Sequence, residues 1–247
     1  MKSTEIKAVA FDLDHTLYDR YSTVRSIAYL LKHHYAGQMN PAISAAQLGD
    51  MLVEIEKAYV YGGWSVMFEK LVARNAFITP PAFEEFFSYF MEAFQKVAVP
   101  FPMVDKMLAT LRAQGYQVGL LTNGKSYIQR NKIKLIGLEH SFDKILAGEE
   151  MGVQKPAVHP FEEMARCLGC DPQQMVYVGD NPRNDIDAAR RAGCIPIWVK
   201  TTGKDWDYPE YEKPYFEIND VLELPALLEQ IDSTPRWRTQ NVRLFDL

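Results

Sequence analysis

Cations are in short supply in this chain: 27 lysines and arginines face 32 aspartates and glutamates, a formal net charge of −5. A nucleic-acid partner normally calls for a basic patch, and here the Lys and Arg residues are scattered, which argues against one. Long apolar runs are absent as well, since no stretch approaches the roughly 20 residues of a membrane-spanning helix. Cysteine is scarce: Cys167, Cys170 and Cys194 in 247 residues do not make a disulfide framework. Met1 to Lys7 is polar and shows no signal-peptide pattern, so the expected compartment is the cytoplasm. Cys167 and Cys170 do form a C-x-x-C pair, but it sits at the end of a helical pattern closed by Gly169. A redox thiolate wants a helix N-terminus, and a zinc site wants more ligands than Cys194 can add. The pair reads as structural.

The chain does have the ingredients of a packed core. Apolar residues make up 47% and charged residues 24%, and the length suits one large domain or a core with an insertion. Lys7 to Phe11 (KAVAF) is a short apolar run. It is followed much later by Gln117 to Leu121 (QVGLL), Lys144 to Ala147 (KILA), Met175 to Val178 (MVYV) and Ile195 to Val199 (IPIWV). None alternates strictly, as expected of parallel strands covered on both faces. Helical patterns lie between them, over Met103–Gln114, Ser126–Ile136, His159–Leu168 and Asn184–Ala192. Gly115, Gly137, Gly169 and Gly193 stand just past these helices, where a left-handed cap is wanted. That rhythm predicts an α/β fold with a doubly wound, Rossmann-like parallel sheet.

Residues from about Tyr21 to Val97 break the rhythm. They read as helices over Tyr21–Tyr35, Ser44–Tyr59, Trp64–Phe77 and Pro81–Val97, punctuated by Pro41, Gly62-Gly63 and Pro80-Pro81. A four-helix insertion after the first strand accounts for them. The expected division is a core of residues 1–18 and 99–247 and a helical insertion of residues 19–98. Phe83, Phe86, Phe87, Tyr89, Phe90 and Phe94 fall at mostly helical spacings and read as packing within the insertion. Tyr215–Ile218 is expected to add a last strand and Val221–Ile231 a last helix, while residues 233–247 carry no readable signal.

Four features follow directly on strand runs, which places them at the carboxyl edge of the sheet, where open α/β sheets bind ligands. They are Asp12-x-Asp14-x-Thr16, Thr122-Asn123-Gly124, Lys155-Pro156, and Gly179-Asp180 with Asp185. Asp12, Asp14, Asp180 and Asp185 gathered at one rim would repel one another and raise their pKa values unless a cation is present. Carboxylate oxygens suit a hard cation, and one small enough to share with a substrate phosphate points to Mg²⁺. Asp12 and Asp14 are two apart, so in extended chain they point the same way, one as nucleophile and the other handling protons. The Thr122 hydroxyl and the backbone N–H groups of Asn123 and Gly124 can hold phosphate oxygens. Lys155 adds positive charge at the transferring group.

The set FDLDHT, LLTNG, QKP and GDNPRND resembles the four signature motifs of the haloacid dehalogenase superfamily, over about Ile6 to Val199. The helical insertion resembles the cap of its type I capped branch. The resemblance implies a magnesium-dependent phosphatase acting on a small phosphorylated metabolite, as a monomer or homodimer. It makes Asp12 the nucleophile and Asp14 the general acid/base, with the Asp14 backbone carbonyl also a metal ligand. Thr122 and Lys155 would bind phosphate, and Asp180 and Asp185 would complete the metal site. Thr16 would steady the loop, and the cap would close over the site to exclude water. Within the cap, Tyr61-Gly62-Gly63-Trp64 is a candidate substrate-contacting loop, with an ordinary helix connector as its alternative.

Other functions are weighed on the same residues. A haloalkanoate dehalogenase would not require a second carboxylate at Asp14. A sugar phosphomutase would keep every residue named and stays open as the alternative. A phospho-receiver domain carries its accepting aspartate on the third strand and has no helical insertion, whereas Asp12 follows the first strand.

Overall fold

The computed structural model of the chain describes residues 5–59, 63–200 and 205–233. Six strands form one parallel sheet: β1 (Ala8–Phe11), β2 (Gln117–Thr122), β3 (Lys144–Ala147), β4 (Met175–Gly179), β5 (Ile195–Val199) and β6 (Phe216–Ile218). Their order across the sheet is β3-β2-β1-β4-β5-β6, a Rossmann-like α/β arrangement. The central strands are short apolar runs because both faces are covered, and β1 and β4 are buried at every position.

Contacts divide the chain into two units, residues 19–99 and the remainder. The first unit contains α1 (Arg20–His34), α2 (Ala45–Ala58), α3 (Gly63–Ala73) and α4 (Phe83–Val97). Asp19 caps α1 through the Ser22 N–H, and Ser44 with Gln47 forms a reciprocal capping box at α2. In α4, Phe86, Phe90 and Phe94 are buried at helical spacing, while Phe83, Phe87 and Tyr89 are half-buried. Phe90 meets Phe86 at 5.8 Å, ring to ring, and truncating such a ring to alanine costs about 3–5 kcal/mol. The aromatic stripe is therefore the core of the helical unit.

The second unit adds α5 (Val104–Ala113), α6 (Ser126–Leu135), α7 (His159–Cys167), α8 (Ala188–Arg191) and α9 (Leu224–Ser233) to the sheet. Ala8, Ala10, Met175 and Tyr177 share one face with Phe161 and Met164 of α7 and Ala188 and Ala189 of α8. Strand alternation puts Val9, Phe11, Val176 and Val178 on the opposite face, and α5 contacts β2. The glycines after α5, α6, α7 and α8 all have positive φ, from 71° to 95°, as their cap positions require. The Phe101 N–H donates to the Leu17 carbonyl at 2.9 Å, so the chain's points of departure from and return to this unit are joined.

All three cysteines are free thiols, and burial pushes Cys170 up to about 11, far from a reactive thiolate. Among the described residues, no helix is long and apolar enough to cross a membrane.

Candidate active site

Strand order reverses at β1, which has β2 on one side and β4 on the other. Ligands of such sheets bind at this switch point, beyond the strands' carboxyl ends. Asp12 leaves β1 there and Asp180 leaves β4. Their strands are in register, Phe11 beside Val178, and the Asp12 N–H donates to the Val178 carbonyl at 2.9 Å. Asp12, Asp180 and Asp185 each present an oxygen within 4.8 Å of the others.

Asp185 arrives by an unusual route. The sequence pattern predicts an ordinary helix from Asn184, but the chain forms a π-helical turn over Pro182–Asp187 before α8 begins. Asn181 starts that turn by accepting the Arg183 and Asn184 N–H groups, and its own N–H donates to Asp185 Oδ2 at 3.0 Å. Wide turns of this kind recur at functional sites. A Cβ at Gly179 would stand 2.5 Å from both Cβ and Cγ of Asp185, so only glycine leaves room for that carboxylate. Gly179→Ala is therefore expected to displace Asp185 and cost about 1–3 kcal/mol of stability. Thermal melts check this, and a variant that melts like the wild type would show that Asp185 can move aside freely.

Lys155 stands among the acids. Its Nζ donates to Asp12 Oδ1 at 2.6 Å, to Asp185 Oδ1 at 2.7 Å and to the Tyr177 hydroxyl at 2.8 Å. Burial alone would pull this ammonium down, but Asp12 and Asp185 outweigh it and hold Lys155 well above its usual range. One lysine does not neutralise three carboxylates. Burial raises Asp12 most, Lys155 opposes it, and Asp185 and Asp14 add repulsion, leaving Asp12 at about 7. Burial, then the repulsion of Asp185 and Asp12, raises Asp180 as well. This excess of negative charge is what a divalent cation relieves.

Asp14 departs from the two-residue alternation. Strand β1 ends at Phe11 and the chain turns, with Asp14 bridged to Tyr18, so strand alternation does not set the direction of Asp14. The Asp14 carboxylate lies outside the three-carboxylate cluster. Lys132 Nζ donates to its two oxygens at 2.7 and 2.8 Å, and the Tyr18 hydroxyl donates to Oδ1. Lys132, on α6, is 1% exposed. It shares a buried helical face with Gln129 and Ile133, and a lysine on such a face is the signal that could have revealed it.

In the Thr122-Asn123-Gly124 turn, the Asn123 side chain and the Gly124 N–H have partners within the protein. Asn123 Nδ2 donates to the Lys155 carbonyl at 2.8 Å, and the Lys155 N–H donates back to Asn123 Oδ1 at 2.9 Å. The Gly124 N–H donates to Gln154 Oε1 at 3.0 Å instead of standing open to an anion. Thr122 is buried, with its hydroxyl 3.4 Å from the Asn123 carbonyl. Thr16 is buried too, and its hydroxyl has no hydrogen-bond partner among the described residues.

Tyr61 and Gly62 lie outside the described residues. Gly63 opens α3 with φ of 72°. Trp64 is buried inside the helical unit, 4.7 Å from the Phe90 ring, with the Arg20 guanidinium 5.6 Å from its own ring centre. These contacts make Trp64 a packing residue of that unit.

Residues 9–199 match the family described as haloacid dehalogenase-like hydrolase. The chain is 30% identical over 232 residues to the glyceraldehyde 3-phosphate phosphatase of Methanopyrus kandleri, covering 92% of this chain and 98% of that one. It is 29% identical over 246 residues to the phosphoglycolate phosphatase of Escherichia coli (strain K12), covering 92% and 94%. Among solved structures, the 2-haloacid dehalogenase of Pseudomonas syringae pv. Tomato DC3000 aligns with a TM-score of 0.62 at 27% identity, covering 91% and 99%.

Proposed function

The chain belongs to the haloacid dehalogenase-like hydrolases, and on that footing we propose that it is a cytoplasmic, magnesium-dependent phosphatase working through an aspartyl-phosphate on Asp12. One observation carries the reading: Asp12, Asp180 and Asp185 meet around Lys155 at the sheet's switch point. A dehalogenase needs the nucleophile but neither a phosphate-binding metal nor Asp14, and the Asp14 carboxylate is held in place by Lys132 and Tyr18.

The donor set fits Mg²⁺, because three hard oxygens converge and their charge exceeds what Lys155 balances. Asp12, Asp180, Asp185 and the Asp14 backbone carbonyl would hold the ion. Bound there, it would neutralise charge on the nucleophile and the phosphoryl oxygens. Asp12 attacks phosphorus in line, forming an O–P bond as the bond to the leaving oxygen breaks, and Asp14 gives that oxygen a proton. Asp14 then takes a proton from the water that attacks the aspartyl-phosphate, releasing phosphate and restoring Asp12. Lys155 and the Thr122 hydroxyl hold the phosphoryl oxygens throughout.

The test is a phosphate-release assay headed by 2-phosphoglycolate and glyceraldehyde 3-phosphate, the compounds named for the two relatives. Release from at least one is expected, with complete loss on chelation and recovery on adding Mg²⁺. Activity that survives chelation would remove the metal from the proposal. The ion also competes with the proton on Asp12. With that group at about 7 and Asp180 raised as well, the apparent Mg²⁺ affinity should rise as pH increases through 7. Titrations of activity against Mg²⁺ at several pH values read this directly, and a flat profile would contradict it.

A further inference from the structure

We propose that Tyr177 is a positioning residue that aims the Lys155 ammonium at the phosphoryl group. The inference deepens the function proposed above and rests on the reading of Lys155 as the phosphoryl-binding cation. A lysine ammonium has three N–H donors. Here they go to Asp12 Oδ1, Asp185 Oδ1 and the Tyr177 hydroxyl, at 2.6, 2.7 and 2.8 Å. The tyrosine's own O–H donates to the Leu121 carbonyl at 3.0 Å, the shorter of its two acceptors (Asp185 Oδ1 stands at 3.5 Å), which leaves the oxygen free to accept from Lys155.

The placement follows from the strands. Tyr177 lies on β4 beside Ala10 of β1, and Leu121 is on β2, one strand further across. The small Ala8 and Ala10 side chains on this face leave a lane across β1 in which the tyrosine lies. Phe161 closes the lane from α7, edge to face at 4.7 Å between ring centres. The hydroxyl is thereby fixed at both ends, and Tyr177 is fully buried.

Of the three acceptors around Lys155, two change their charge environment during turnover. Asp12 gains and loses the phosphoryl group, and Asp185 belongs to the proposed metal set. Tyr177 alone is neutral, takes part in neither bond and stays where the sheet puts it. It is the constant reference for the ammonium while the other two contacts are remade. Positioning of this kind acts most strongly where charge develops, in the transition state.

Tyr177→Phe removes one oxygen and keeps the ring, its packing against Phe161 and the strand. Orthovanadate serves as the probe, because a five-coordinate mimic of the transferring group reports transition-state complementarity. The inhibition constant for vanadate is expected to rise about tenfold or more, with kcat falling by a similar factor and KM staying within about twofold. An inhibition constant does not depend on the fraction of protein folded. A lowered kcat with an unchanged vanadate constant would therefore mean that Tyr177 only supports the fold, and would overturn the proposal. So would a variant equal to the wild type in both. If the wild type itself neither releases phosphate nor binds vanadate, the reading of the whole site fails and takes this inference with it. A working wild type with an indifferent Tyr177→Phe sinks the inference alone.

Discussion

Asp12→Asn is expected to lower phosphate release by about four orders of magnitude or more, because the amide has no anionic oxygen with which to attack phosphorus. The side chain keeps its shape, so the fold should survive. Stability should in fact shift in the variant's favour in alkaline, metal-free buffer. Folding raises Asp12 from 3.8 to about 7, so the native state binds this proton more tightly than the unfolded chain. That contribution is fully present below about pH 4 and is lost as pH rises through 7. Asparagine never carries the charge that is disfavoured above that point. At pH 8 without metal, Asp12→Asn should melt higher than the wild type, while at pH 4 the gap should narrow. Borohydride reduction during turnover, which converts an aspartyl-phosphate to homoserine, should mark position 12 in the wild type only. Modification at another residue, or appreciable turnover by the variant, would exclude Asp12 as the nucleophile.

The second large effect concerns Asp14 and depends on the leaving group. An alkyl phosphate expels a strongly basic oxygen that must be protonated, whereas p-nitrophenyl phosphate expels a stable phenolate that needs no proton. Asp14→Asn should therefore lower kcat/KM for any alkyl phosphate that the wild type hydrolyses by about 10²–10⁴-fold. The loss with p-nitrophenyl phosphate should be much smaller in that first step, and the phosphorylated enzyme should accumulate as a burst because the base for its hydrolysis is missing. Equal losses on both substrates, with no burst, would strip Asp14 of proton transfer and leave it a structural partner of Lys132.

Much of the framework could be read in the linear chain because its signals are local. Short apolar runs capped by glycine-terminated helices specify buried parallel strands, and the run at Lys144 to Ala147 coincides with β3 residue for residue. Asp12, Lys155, Asp180 and Asp185 could be brought together because Asp12 and Asp180 directly follow β1 and β4, Lys155 and Asp185 lie on the connections that leave β3 and β4, and strand ends of a doubly wound sheet share one rim. What escaped depends on where side chains go after the regular structure stops. The period-two argument for Asp12 and Asp14 assumes a strand that continues through Asp14, and β1 ends at Phe11, before either of them. Asn123 and Gly124 find their partners at Lys155 and Gln154, some thirty positions away, and no local pattern announces such bonds. Tyr177 looked like one more apolar core residue within MVYV, and only the alanines on β1 reveal that its hydroxyl has somewhere to go. The π-helical turn at Asp185 mimics an ordinary helix in composition, and the capping side chain of Asn181 decides otherwise.

The bond between Phe101 and Leu17 has an evolutionary reading. It fastens the two cut ends of the sheet domain to each other, so the excursion between them resembles a loop inserted at a closed gate. With its ends fastened in this way, an excursion of another length could be accommodated without moving the strands that carry Asp12 and Asp180.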